Sequence, residues 1–295
     1  MEHEPLGHEH RPDARAAGRR TPPTAWALAI ESSNPSIGAS VALSPIDDAR
    51  AVPLDEPFLP SSPPRCYRQP VAPATASTDD LVPAIDRVLA AASGDQPRTL
   101  RAPDVGLIAV SIGPGGYTAL RVACAAARGI ALCIDALAPA PDRAPLTRRA
   151  IPTAIAAAVA TVPELPTPVW AGRSVAVALA SKGAAALVTI VPGGPLLWAA
   201  PCRGRTVRAW DQCVQPAGMT PAALIADSHA PADLLRGAAA AGAAVLPARL
   251  DAAVLLRLAA HWRSDPALPI DGTLSPDYGR EPEAVTLWRA RHGTP

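Results

Sequence analysis

The sequence predicts an α/β fold in two lobes. Three observations carry this. The chain of 295 residues has room for more than one compact unit. Short apolar runs such as "WALAI" and "VGLIAVSIG" have the length and bounding turns of strands. Between them lie segments with apolar residues at helical spacing, and strands alternating with helices define the α/β class.

The N-terminal residues 1–24 are polar and proline-containing with no apolar h-region, which predicts a disordered arm and excludes a secretory signal. Order begins near Trp26. "WALAI" ends at Glu31, the turn-rich "SSNPS" follows, and "IGASVAL" completes a hairpin. Residues 45–77 are proline-rich and predict a surface insertion that replaces or extends a third strand. Thr78 then stands as the N-cap of a helix, with Asp79 and Asp80 in its first turn at the positive end of the helix dipole. Leu81, Val82, Ile85, Val88 and Leu89 share one face of it.

"VGLIAVSIG" is apolar almost throughout, as a strand buried on both faces requires. It runs into Gly113-Pro114-Gly115-Gly116. Thr118 is placed to cap a helix reaching about Leu132, and Ala119, Val122, Ala123, Ala126 and Ile130 form a stripe of mostly small side chains along it. Small side chains let a second helix approach closely. These residues divide the chain into an N-terminal lobe over 25–150 and a C-terminal lobe and tail over 151–295. In the second lobe, "AIPTAIAAAVATV", "MTPAALIADS" and "RLDAAVLLRLAAHWRS" read as helices. "SVAVALASKGAAALVTIV" reads as two strands around Ser181-Lys182-Gly183, with "LLWAAPCRG" and "TVRAW" continuing the sheet.

Composition narrows the function. Lys and Arg number 27 against 26 Asp and Glu, for a net charge of +1, so the concentrated basic footprint of a nucleic-acid surface is missing. Aromatics at 3% leave few platforms for stacking bases, so any contribution to RNA chemistry is indirect. The five cysteines are scattered without a C-x-x-C pair, and Cys124 and Cys133 read as small buried hydrophobes rather than metal ligands. Uninterrupted apolar runs are too short for a membrane span, which predicts a cytoplasmic protein.

The glycine turn raises the main question. Free N–H groups at a helix N-terminus make an anion site. "GPGGYTAL" nevertheless lacks the Lys-Ser/Thr ending of a Walker loop, and Thr118 stands where the dinucleotide pattern needs a third glycine. Spacing therefore favours a tight turn whose glycines relieve steric conflict. Glu31-Ser32-Ser33 is the second phosphate candidate, because actin-like and sugar-kinase-like ATPases set an acidic residue at the end of the first strand beside metal-bound phosphates.

"LAIESSNPSIGASVAL" and "VSIGPGGYTALRVACAAARGIAL" together resemble the opening hairpin and the "GPGSFTGLRIG" signature of the bacterial TsaB (YeaZ) family. "ALASKGAAALVTIV" and "LSPDYGREPEA" are similar, in matching chain order, to that family's later segments. The resemblance implies an ASKHA (actin/sugar kinase/Hsp70-like) fold of two lobes with mixed sheets flanked by helices. It implies a non-catalytic subunit that supports a TsaD-type transferase in threonylcarbamoylation of tRNA adenosine 37, alongside a TsaE-type ATPase. By the same resemblance ATP or ADP and metal reside on the partner subunits, none is bound by this chain alone, and tRNA is touched only indirectly. The helix after the glycine turn, through Tyr117, Ala119, Leu120, Val122, Ala123, Ala126 and Ile130, becomes the surface for the transferase or for a second copy in a homodimer. Glu31, Ser32, Ser33, Gly113, Gly115, Gly116, Thr118 and Arg121 become a structural turn or the vestige of a phosphate site.

The chain departs from the family where Glu31 replaces its Asp, Gly116 its Ser, Ala119 and Ala123 two of its glycines, and Leu179-Ala180-Ser181-Lys182 its "DAR" run. The alternative is a catalytically active ASKHA-type transferase or kinase. A TsaD-like enzyme would need an H-x-x-x-H pair on a helix to hold its metal, and the only histidines beyond His10 are His229, His261 and His292. No G-x-S-x-G elbow supports a hydrolase.

Overall fold

A computed structural model of the chain describes residues 25–34, 37–51, 65–72, 80–96, 99–137, 145–161, 174–179, 184–189, 197–199, 210, 221–262, 273–278 and 283–293. The N-terminal arm, "TVRAW" up to Ala209 and the Ser181-Lys182-Gly183 turn lie outside them.

The first sheet holds five strands, β1 (Trp26–Asn34), β2 (Gly38–Pro45), β3 (Tyr67–Pro70), β4 (Val105–Gly113) and β5 (Thr147–Pro152). Their order is β3-β2-β1-β4-β5, with β1 antiparallel to β2 and parallel to β4. The second sheet holds β6 (Ser174–Leu179), β7 (Ala184–Thr189), β8 (Leu197–Ala199), β9 (Ala223–Ala226) and β10 (Ala244–Pro247), ordered β10-β9-β6-β7-β8. Read from the opposite edge, the second order repeats the first. Each sheet begins with an antiparallel meander and adds two strands parallel to its first member.

Strand alternation distributes the core. Trp26, Leu28 and Ile30 of β1 face α2 (Leu81–Gly94) and α3 (Tyr117–Leu137), whereas Ala27 and Ala29 face α1 (Ile46–Ala51), α4 (Thr153–Thr161) and α6 (Ala252–Trp262). A further helix, α5 (Ala232–Ala240), covers β9 and β10, and α7 (Glu283–His292) closes the described chain. Helices α4 and α6 are buried on nearly every side, and each leaves its own sheet to pack against the other. One apolar cluster therefore joins Ala27, Leu107 and Ile151 of the first sheet to Val175, Val177 and Ile225 of the second through α4 and α6. Apolar residues all round a helix are what such a two-sided position demands.

Several expectations change. "MTPAALIADS" contains β9, not a helix: Ala223–Ala226 are four consecutive buried residues paired with β6 on one side and β10 on the other. A short apolar run buried on both faces has no periodicity to separate strand from helix. Strand β5 crosses position 150/151, so the first sheet continues to Pro152. The 45–77 segment carries α1 and the edge strand β3. Helix α2 starts after Asp80, whose carboxylate accepts the Ala72 N–H and pairs with Arg87, so the start falls beyond Thr78. Val82, expected on the buried face of α2, is exposed, and Ala84 and Ala92 complete that face instead. Helix α3 begins at Tyr117, where the Gly116 carbonyl accepts the Leu120 N–H, and it runs five residues past Leu132. Thr118 is thus inside the first turn rather than capping it. Cys124 is buried, but Cys133 is exposed.

Candidate functional site: the glycine turn and the helix it aims

The turn Gly113–Gly116 leaves the end of β4 against the end of β1 and the C-terminal segment 273–278. Gly113 has φ +122°, and a Cβ there would lie 1.9 Å from the Asp277 carbonyl oxygen. A Cβ on Gly115 would lie 2.4 Å from the Ser33 carbonyl oxygen. Both glycines are required because other backbone occupies the space a side chain would take. The Gly116 N–H donates to the Ser33 carbonyl at 2.6 Å, and the Asp277 N–H donates to the Ile112 carbonyl at 2.6 Å. The Gly113–Pro114 peptide is cis.

Glu31 lies on the same face of β1 as Ala27 and Ala29, so its carboxyl points toward the space between the sheets and is fully buried. Its Oε1 accepts the Ser33 N–H at 2.8 Å and the Ser33 Oγ–H at 2.5 Å, and its Oε2 has no hydrogen-bond partner. Burial pushes the Glu31 carboxyl up from an ordinary 4.5 to about 7. The Ser33 hydroxyl, the Ser33 N–H and the Ser111 hydroxyl pull it down, and Asp251 adds to the rise. Beside it, the Ser111 and Thr153 hydroxyls lie 2.6 Å apart, and Thr153 Oγ1 accepts the Gly113 N–H at 3.0 Å. Ser32 Oγ–H reaches the Ala119 carbonyl at 3.3 Å.

These contacts decide between phosphate cradle and packing turn. The N–H groups of Gly113 and Gly116 are spent on Thr153 and Ser33, and Ser33 spends its N–H and hydroxyl on Glu31. A phosphate needs those donors free. The donors of Gly113, Gly116 and Ser33 are engaged within the chain, and at these residues the turn acts as a packing device. Among the described residues no group of three or more His, Cys, Asp or Glu is placed to hold a metal.

Helix α3 has two faces. Leu120, Ala123, Cys124, Ala127, Ala131 and Ile134 are buried against the first sheet. Leu120 and Ala123, expected at an interface, are fully buried in the chain's own core and unavailable to a partner. Ala119, Val122, Ala126 and Ile130 are half-buried, the last three flanking that core. The outward face carries Tyr117, Arg121, Ala125, Arg128, Gly129 and Leu132. Apolar residues at helical spacing mark the face turned to the sheet, and the solvent face is its complement. Ala125 and Gly129 were therefore missed, although their small size and four-residue separation were visible.

The segment Thr273–Tyr278 frames that outward face. Leu274 is inserted into the first lobe's core. Arg128 donates to the Thr273 carbonyl at 3.0 Å and to Ser275 Oγ at 2.6 Å. Tyr278 stacks on Tyr117 with ring centroids 4.6 Å apart, and Arg121 lies over the Tyr117 ring while donating to the Tyr278 hydroxyl at 3.1 Å. Tyr117 and Arg121 thus meet a residue some 160 positions away that no local pattern connects to them.

The two repeated sheets, with α4 and α6 exchanged between them, form an α/β fold of the ASKHA class. Within that class its fold is that of YeaZ. One solved structure, "YeaZ from Pseudomonas aeruginosa", is 18% identical and covers 86% of this chain and 99% of its own, with a TM-score of 0.48. A second from Pseudomonas aeruginosa, titled as similar to peptidase YeaZ, is 19% identical and covers 87% of this chain and 100% of its own, with a TM-score of 0.50. At that identity the second likeness establishes the fold. Residues 69–136 match the family described as "TsaD: tRNA N6-adenosine threonylcarbamoyltransferase". Comparison with curated proteins gives no match. No helix among the described residues is long and apolar enough to cross a membrane.

Proposed function

We propose that this chain is a non-catalytic docking subunit for a TsaD-type transferase that threonylcarbamoylates adenosine 37 of tRNA. The observation that carries the reading is the outward face of α3, where Ala125 and Gly129 present little bulk between the Tyr117–Arg121–Tyr278 cluster and Leu132, itself 68% exposed. Small residues on a rigid helix permit close helix–helix approach, and aromatic and Arg residues at the rim supply contact energy. The YeaZ fold and the family match over 69–136, which spans this helix almost to its end, support the assignment.

On this reading ATP or ADP, the metal and the tRNA contacts belong to the transferase and to a TsaE-type ATPase, and a second copy can occupy the same face when the transferase is absent. The near-neutral charge of the chain suits a role in which tRNA is touched only indirectly. The rival, an active transferase, has the family match in its favour. The sequence offers no H-x-x-x-H pair to hold that enzyme's metal. Reconstitution with the transferase and ATPase from the same cell tests the proposal. Threonylcarbamoyl transfer should require this chain and be absent when it is incubated alone with substrates. Turnover by the isolated chain would favour the rival.

A further inference from the structure

We propose that the Glu31 side chain is the internal organiser of the glycine turn: a buried carboxyl that fixes Ser33, and through it the turn and the start of α3, without an external ligand. Three helices begin around it. The first turn of α3 is tied to Ser33 through the Gly116 N–H, and α4 opens with Thr153, which holds the Gly113 N–H. The third, α6, opens with Ala252, whose N–H donates at 3.0 Å to Ser40, the cross-strand partner of Glu31. Each of these N–H groups is met by a neutral acceptor, and burial favours the protonated carboxyl over the anion. The Glu31 carboxyl among them is fully buried, with both Ser33 donors on Oε1, no hydrogen-bond partner on Oε2 and the Ser111 hydroxyl near enough to act on its titration. Two polar chains result: Gly113 to Thr153 to Ser111, and Glu31 to Ser33 to Gly116. Glu31 is a positioning residue. It acts on α3 through Ser33 and touches no substrate.

The consequence is a carboxyl site that is vacated when the side chain is removed. Glu31→Ala leaves the Ser33 N–H and hydroxyl as buried donors without an acceptor, a defect that a small external carboxylic acid can fill. Hydrogen exchange of the Gly116 amide and the thermal midpoint are read in acetate and in an equal concentration of chloride, at about pH 5.5, where a carboxyl in this site holds its proton. In chloride, Glu31→Ala should exchange Gly116 about tenfold faster than wild type or more. In acetate its protection and midpoint should recover, with no acetate effect on wild type beyond that of chloride. Glu31→Gln keeps the shape and the Oε1 acceptor, so it should retain Gly116 protection and ignore acetate. Wild-type protection in Glu31→Ala, failure of acetate to restore that variant whether or not it folds in chloride, or loss of Gly116 protection in folded Glu31→Gln would each overturn the proposal.

Discussion

Glu31 and Gly115 meet at one serine, and each makes a measurable demand there. The Glu31 carboxyl, raised by burial from 4.5 to about 7, is bound to its proton more tightly in the folded state than in the unfolded one. The native state then binds more protons between those values. Its contribution to stability is full below about 4.5 and lost as pH rises through about 7, with an upper limit of about 3 kcal/mol. Denaturant melts of wild type and Glu31→Gln across pH 4.5–8.5 should therefore diverge, the wild type weakening and the Gln variant staying comparatively level. Parallel curves would remove Glu31 from the cause. Gly115 faces rigid backbone, since its added Cβ would lie 2.4 Å from the Ser33 oxygen. Gly115→Ala should cost about 2 kcal/mol in the same melts, because a carbonyl cannot move aside as a flexible side-chain end can. The parity of Ala27, Ala29 and Glu31 was legible in the sequence and aims the carboxyl inward. Its complete burial was not legible, because it depends on Asp251 and α6, more than 200 residues away.

Among the elements, α3 shows where sequence patterns succeed and where they stop. Its existence, its glycine entry and its apolar spacing were all readable. The stripe through Ala119, Val122, Ala123, Ala126 and Ile130 has the small side chains expected of a partner surface, yet it lies on and beside the face that packs on the chain's own sheet. An apolar stripe says that something covers it and leaves open whether that is the home sheet or another subunit. Gly129 distinguishes the faces, since a Cβ there meets nothing within 4 Å. Gly129→Ala should stabilise the isolated chain by about 0.5–1 kcal/mol, as removing an unneeded glycine from an exposed helix does. A loss of stability on calorimetry would mean that the outward face is already covered. Strand β9 shows the converse limit, with four apolar residues too few to display a period.

For the whole molecule, the hairpin and the strand–turn–helix unit of the first half were legible, and the exchange of α4 and α6 between the sheets was not. That exchange makes the inter-sheet space a single apolar core reaching up to Glu31. With the turn packed against Ser33 and Asp277, the proposed function assigns partner contact to the outer surface of α3, framed by Thr273–Tyr278. The most direct measurement is the affinity of this chain for the TsaD-type transferase of the same cell, with wild type compared to Gly129→Arg. The substituted position is open in the free chain, so the fold is preserved while an interface is blocked. Binding should weaken about tenfold or more with a melting temperature no lower than that of wild type. Equal affinity of the two folded proteins would contradict the account.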